Sequence, residues 1–282
     1  MPEVGDAPAM ETFAKHQGEV RAIAVGHDPK RGRLVYSGCE DRRLQITNAA
    51  GKRIKTLRTK HLIGSIALTS TEVWASGPTY MFSCSRATHG SATHHASEAN
   101  GVDLFVADDT IGCSTYHGSI AHGGDEVSVR KNCGNGAADT EFLYGGFYDG
   151  VVRYWKRGGK RPKSLTVGTS GAHVALAGDH LVTASRTPAH IVVWKRTAKG
   201  FVEVRRWDTP AVAYGTRMAA WVFGEHLVWH NDKVVLVFEW GTGATRARFD
   251  IAVQGRERVE VVCLDGADLF VGVGDEVRTV KL

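Results

Sequence analysis

The sequence has no apolar run approaching the roughly 18 residues that a membrane-crossing helix needs, so membrane-spanning helices are excluded. It has no Asn-x-Ser/Thr acceptor, and MPEVGDAPAMET at its start lacks the basic residues and apolar core of a secretory signal. Both absences predict an intracellular protein, cytoplasmic or nuclear. Cysteine is sparse: Cys39, Cys84, Cys113, Cys133 and Cys263 are an odd, widely spaced set without a Cys-x-x-Cys pair. That excludes a disulfide framework and argues for buried free thiols. No segment sustains a 3.6-residue apolar period, so a helical class is excluded as well.

What the chain does have is 33 glycines, 43% hydrophobic residues and many short alternating runs that end in turn residues, the pattern of an all-β globular protein. Residues 143–156, LYGGFYDGVVRYWK, read as two strands joined at Asp149-Gly150, a strong hairpin signal. A lone hairpin is marginal in water, so it must bury its faces against other parts of the chain. The pattern recurs in RLVYSGCEDRRLQITN (33–48), VWASGPTYMFSC (73–84), DLFVADDTIGCSTYH (103–117), LVTASRTPAHIVVW (181–194), HLVWHNDKVVLVFEW (226–240) and DLFVGVGDEVRTVKL (268–282). Aligned on the Trp155 position, the copies fall at Thr47, Ser83, Ser114, Trp155, Trp194, Phe238 and Val280, a period of about forty residues. One more apolar strand precedes each hairpin and another follows it, giving four strands per unit, here lettered a to d.

Four-strand units of this length resemble the WD40 repeat. The segments GGFYDGVVRYW (145–155) and SGCEDRRLQIT (37–47) carry the resemblance, with isolated histidines such as His16 and His61 where many repeats open on Gly-His. It implies a seven-bladed propeller over residues 11–282 as a single domain behind a short tail, 1–10. Blade boundaries are expected near 16–58, 59–90, 91–122, 123–168, 169–207, 208–252 and 253–282. The last unit lacks its strand d, and residues 11–15 are expected to supply it and close the ring. The resemblance also implies that a His, a Ser or Thr, the turn Asp and the Trp bond together within a blade. The residues that match are His16, Ser37 and Asp41 in the first unit, Asp149 and Trp155 in the fourth and Trp194 in the fifth.

Signals for chemistry are weak. His226 and His230 in EHLVWH have the spacing of a zinc pair on a helix, but on a strand they lie about 13 Å apart. The cluster THGSATHHASEAN (88–100), with His89, His94, His95 and Glu98, has no ligand spacing. GTGATR, GNGAAD and GVGDEV run into strands, so no helix N-terminus is available to hold a phosphate. No nucleophile motif occurs. The expectation is a protein that is not an enzyme and has no metal or cofactor.

The resemblance puts b-c and d-a turns on a top face and a-b and c-d turns on a bottom face. The bottom then gathers Lys30, Arg31, Arg33, Lys52 and Arg53 from the first unit. The fourth and fifth units add Lys156, Arg157, Lys160, Arg161, Lys163, Lys195, Arg196 and Lys199. The top turns carry mainly acids. Expected contacts with protein partners are the top-face residues Glu40, Phe147, Tyr148, Arg186, His190, His230 and Asn231, with the two aromatics foremost. These features predict a monomeric, non-catalytic platform for one or more proteins within a larger assembly. One alternative is a ribonucleoprotein- or ribosome-associated propeller that meets RNA, or an acidic protein, through the basic face. A second is an enzyme or small-ligand binder that uses the central channel.

Overall fold

The computed structural model describes residues 9–90, 93–96, 102–212, 218–251, 253 and 257–282. Among them, 28 strands form seven four-stranded sheets, and no helix occurs. Six sheets are built from strands consecutive in sequence. Sheet 1 comprises Val20–Asp28, Gly32–Cys39, Arg43–Asn48 and Arg53–Arg58, and sheet 2 comprises Ser65–Leu68, Glu72–Gly77, Tyr80–Ser85 and Thr93–Ala96. Sheet 3 comprises Val102–Ala107, Thr110–Thr115, Ser119–His122 and Asp125–Ser128, and sheet 4 Cys133–Ala138, Phe142–Phe147, Val151–Lys156 and Lys163–Thr166. Sheet 5 comprises Ser170–Ala177, His180–Thr187, His190–Thr197 and Gly200–Asp208, and sheet 6 Ala219–Phe223, His226–His230, Val234–Glu239 and Thr245–Asp250.

Sheet 7 joins Val259–Asp265, Asp268–Val273 and Glu276–Lys281 to the N-terminal strand Glu11–Lys15. Glu11 pairs with Thr279 and Lys15 with Glu276, and the Phe13 ring meets Phe270 edge-on at 5.2 Å. The strand exchange expected from the sequence is therefore present.

The chain divides into two compact units, Met1–Leu104 with Asp232–Val235 and Ala247–Leu282, and Phe105–Asn231 with Leu236–Arg246. In the first, Leu34, Tyr36, Leu44 and Ile46 of sheet 1 pack on Ile63 and on Val73, Ala75, Tyr80 and Phe82 of sheet 2. In the second, Tyr144, Val152 and Tyr154 of sheet 4 pack on Val174 and Leu181 of sheet 5. Burial follows strand position. Strand b of sheet 4 is buried from Leu143 to Phe147, whereas strand d, Lys163–Thr166, is almost wholly exposed. The middle strands carry apolar residues on both faces because each is covered on both.

The third repeat differs from the sequence reading by one strand. Asp108-Asp109 joins strands a and b of sheet 3, not b and c, and strand d is Asp125–Ser128, beyond the expected boundary at 122. Both aspartates have positive φ, 49° and 54°, which suits the two-residue turn that a tight hairpin favours. An Asp in a turn resembles the repeat signature wherever it falls, and the actual b-c turn, Tyr116-His117-Gly118, has none.

Candidate interaction surface

The b-c turns of sheets 3 and 4 lie together in the second unit. Phe147 closes strand b of sheet 4 with its ring fully buried, against Ile120, Leu143 and Trp155. Tyr148 follows on the opposite side of the backbone and is 47% exposed. Its ring meets that of Tyr116, 45% exposed, at 6.0 Å and an interplanar angle of 60°. Main-chain bonds hold both. Tyr148 N–H donates to Asn132 O at 3.0 Å, Gly171 N–H to Tyr148 O at 2.9 Å and Cys133 N–H to Tyr116 O at 3.1 Å. Asn132 Nδ2 donates to Tyr116 Oη at 2.8 Å. Gly150 turns the chain with φ of 76°, and a Cβ there would lie 2.4 Å from Gly168 O, so only glycine fits.

Asp149 in the same turn accepts two bonds from the Arg153 guanidinium, at 3.0 and 2.8 Å, and these hold its carboxyl below the usual range. The guanidinium lies 4.7 Å over the Phe147 ring. Sheet 4 thus anchors its turn Asp on Arg153, where the WD40 arrangement uses a histidine. Trp155 is buried beneath it. In sheet 1, His16 Nε2 bonds Ser37 Oγ at 2.8 Å and the Gln17 N–H donates to Asp41 at 3.1 Å. In sheet 5, Trp194 Nε1 donates to Thr183 Oγ1 at 2.8 Å.

The remaining expected contacts are unevenly placed. Glu40 is exposed and accepts from Arg21 at 2.6 Å; Arg186 is half-buried. Phe147, His190, His230 and Asn231 are buried and present no surface to a partner as folded, which corrects the expectation for those four. His190 lies beside Ser185 Oγ at 3.3 Å, and burial pushes its pKa down. Residue type alone does not show which side of a strand its neighbours will cover. Tyr116 is not among the expected contacts because the turn signature at Asp108-Asp109 puts the third repeat one strand out of frame.

The histidine-rich segment does not converge on a metal among the described residues. Arg31 donates to His89 Nδ1 at 2.9 Å, leaving Nε2–H for Tyr36 Oη at 3.1 Å, while His95 stacks on Trp74 at 4.7 Å. Glu98 lies outside the described residues.

The basic residues are less free than their sequence suggests. Arg33 pairs with Asp268 and Asp265 in the first unit. In the second, Arg157 pairs with Asp125 at 3.2 Å and donates to His122 O at 3.0 Å. Arg196 engages Asp139 and donates to Tyr144 Oη at 2.6 Å. The a-b and c-d turns carry these acids alongside the bases, so the expected excess of positive charge shrinks. Lys156, Lys160, Arg161, Lys163, Lys195 and Lys199 in the second unit, and Lys30, Lys52 and Arg53 in the first, are exposed and have no carboxylate partner among the described residues.

No protein-family model and no curated protein sequence matches the chain. Solved structures do. The RRP9 WD40 repeats superpose with a TM-score of 0.78 at 12% identity, over 98% of this chain and 99% of that one. The computationally designed Ika8 protein gives 0.68 at 14%, over 96% and 100%. The chain therefore has an all-β, seven-bladed fold of the WD40 propeller type. That fold commonly serves as a scaffold for protein interaction and is typically non-catalytic. No helix among the described residues is long and apolar enough to cross a membrane.

Proposed function

We propose that this protein is a non-catalytic platform that docks a protein partner on the b-c turns of sheets 3 and 4, with Tyr116 and Tyr148 as anchors. The exposed, edge-to-face tyrosine pair carries this reading. Tyrosine offers a large apolar face with a polar tip and is enriched among interface anchors, and here the backbone of both residues is hydrogen-bonded and the two rings pack on each other. Little ordering then remains to be done on binding, and preorganisation raises affinity.

A second reading rests on the KRGGKRPK loop, where Lys156, Lys160, Arg161 and Lys163 are exposed without carboxylate partners among the described residues. It assigns that loop to RNA or an acidic protein tail, with affinity that falls as salt rises. One experiment separates the two. The full chain, its Tyr116→Ala/Tyr148→Ala variant and its Lys160→Glu/Arg161→Glu variant are used for capture from the native cell, and recovered proteins and RNA are quantified over a salt series. The tyrosine variant is expected to lose the recovered protein, each truncation weakening binding about 10- to 30-fold. Equal recovery by the tyrosine variant, with salt-dependent loss only in the charge-reversed one, overturns the first reading in favour of the second.

A further inference from the structure

His16, Cys39 and Asp41 meet at the b-c end of sheet 1, and one donor atom of each lies within 4.8 Å of the other two. Cys39 ends strand b and is fully buried, His16 is 4% exposed and Asp41 is half-buried in the turn that follows. His16 is fixed from both sides. Its backbone N–H donates to Asp275 O at 2.8 Å, and its Nε2 bonds Ser37 Oγ at 2.8 Å. Its Nδ1 is buried and has no hydrogen-bond partner. The Cys39 thiol donates to one Asp41 oxygen, and the Gln17 N–H donates to the other at 3.1 Å.

We propose that His16 Nδ1, Cys39 Sγ and an Asp41 carboxylate oxygen form a binding site for one thiophilic divalent cation of the zinc type. An imidazole nitrogen, a thiolate and a carboxylate are zinc's three protein ligand types, bound at about 2.0–2.3 Å. Tetrahedral donors at those lengths stand about 3.3–3.8 Å apart, so the thiol and the carboxylate, now hydrogen-bonded to each other, must part to admit the ion, with all three donor atoms already within 4.8 Å. Two ligands are already oriented from behind: Ser37 fixes the imidazole and the Gln17 N–H fixes the carboxylate, as partners of metal ligands commonly do. With Nε2–H donating to Ser37, the lone pair of Nδ1 is left for the metal. Exposed Gln17 and Glu40 border the cluster, which leaves the fourth position to water.

Cys39 is this chain's addition to the WD40 arrangement, which has a small residue at that position. The Cys39 thiol, which donates to Asp41, must give up its proton to ligate. The cation forms the bond to sulfur as the S–H bond breaks, and the proton passes to solvent. One proton leaves for each metal bound, so binding weakens as pH falls.

The test is titration of the full, metal-free chain with Co²⁺, followed by thiolate-to-cobalt charge-transfer absorption. The wild type is expected to develop the band up to one equivalent and to lose it when Zn²⁺ is added. Its melting temperature should rise with Zn²⁺ and fall back with a chelator. Cys39→Ser should abolish the band, Cys84→Ser should retain it, and Asp41→Asn should weaken binding at least tenfold. A wild type without the band has a hydrogen-bonded triad only, and that outcome overturns the proposal. So does a band that persists in Cys39→Ser, or Asp41→Asn with unchanged affinity; the wild-type and Asp41→Asn titrations decide should Cys39→Ser not fold.

Discussion

Phe147 and Tyr148 are adjacent in sequence and similar in chemistry, yet the strand's alternation sends one ring inward and the other out. Phe147 lies under the Arg153 guanidinium and against Trp155 and Ile120, so Phe147→Ala would leave a cavity that close-packed strands cannot fill. The expected loss is about 3–5 kcal/mol of stability. Tyr148→Ala opens nothing in the core and should change stability by only about 0.5 kcal/mol. Chemical denaturation of the two variants checks the contrast. A Tyr148→Ala loss as large as that of Phe147→Ala would make Tyr148 a core residue and remove it as an anchor.

At the scale of elements, the repeat was legible because its signals are local: an alternating strand, a short turn with Asp or Gly, and a second strand. Leu143 to Trp155 shows all three. Sheet 3 was legible as strands but not in frame, since Asp108-Asp109 satisfies the turn chemistry at the wrong end of the unit. The burial of His190 and His230, and the pairing of Arg33, Arg157 and Arg196, depend on neighbours far along the chain and have no local signature. The N-terminal strand shows the same dependence. Glu11–Lys15 is half-exposed and has weak apolar patterning, yet it supplies the outer strand of sheet 7 and the Phe13–Phe270 contact. Deleting residues 1–15 bares the edge of Glu276–Lys281 and one side of Phe270. Sheet 7 packs directly on sheet 1, so the expected result is a large fall in melting temperature and a loss of cooperativity, read by calorimetry. Unchanged melting would mean that the strand adds nothing to the fold.

For the molecule as a whole, stability against pH is set by buried groups that act in opposite directions. His16 and His173 are pushed by burial from 6.5 to about 4 and about 3. Between those values and 6.5 the unfolded chain binds the extra protons, so both histidines make stability fall as pH falls through that window. Glu19 opposes them. Arg21 reaches Glu19 and Glu40 at 2.6 Å and Glu260 at 2.8 Å, and Arg258 also engages Glu260, whose side chain is fully buried. Three carboxylates thus face two guanidiniums. Burial, with the hydrogen bond to Glu260 and that residue's charge, raises Glu19 from 4.5 to about 7. Between 4.5 and 7 the folded chain holds a proton that the unfolded chain has lost, so the contribution of Glu19 is complete below 4.5 and is lost as pH rises to 7. Glu19→Gln removes that one term and leaves the histidines in place. Melting temperatures of the variant and the wild type, measured from about pH 4 to pH 8, should therefore diverge steadily between 4.5 and 7, with the wild type losing ground as pH rises. The difference should be flat on either side of that window. Curves that stay parallel throughout would place the shared proton elsewhere in the network and leave Glu19 ionised in the folded protein.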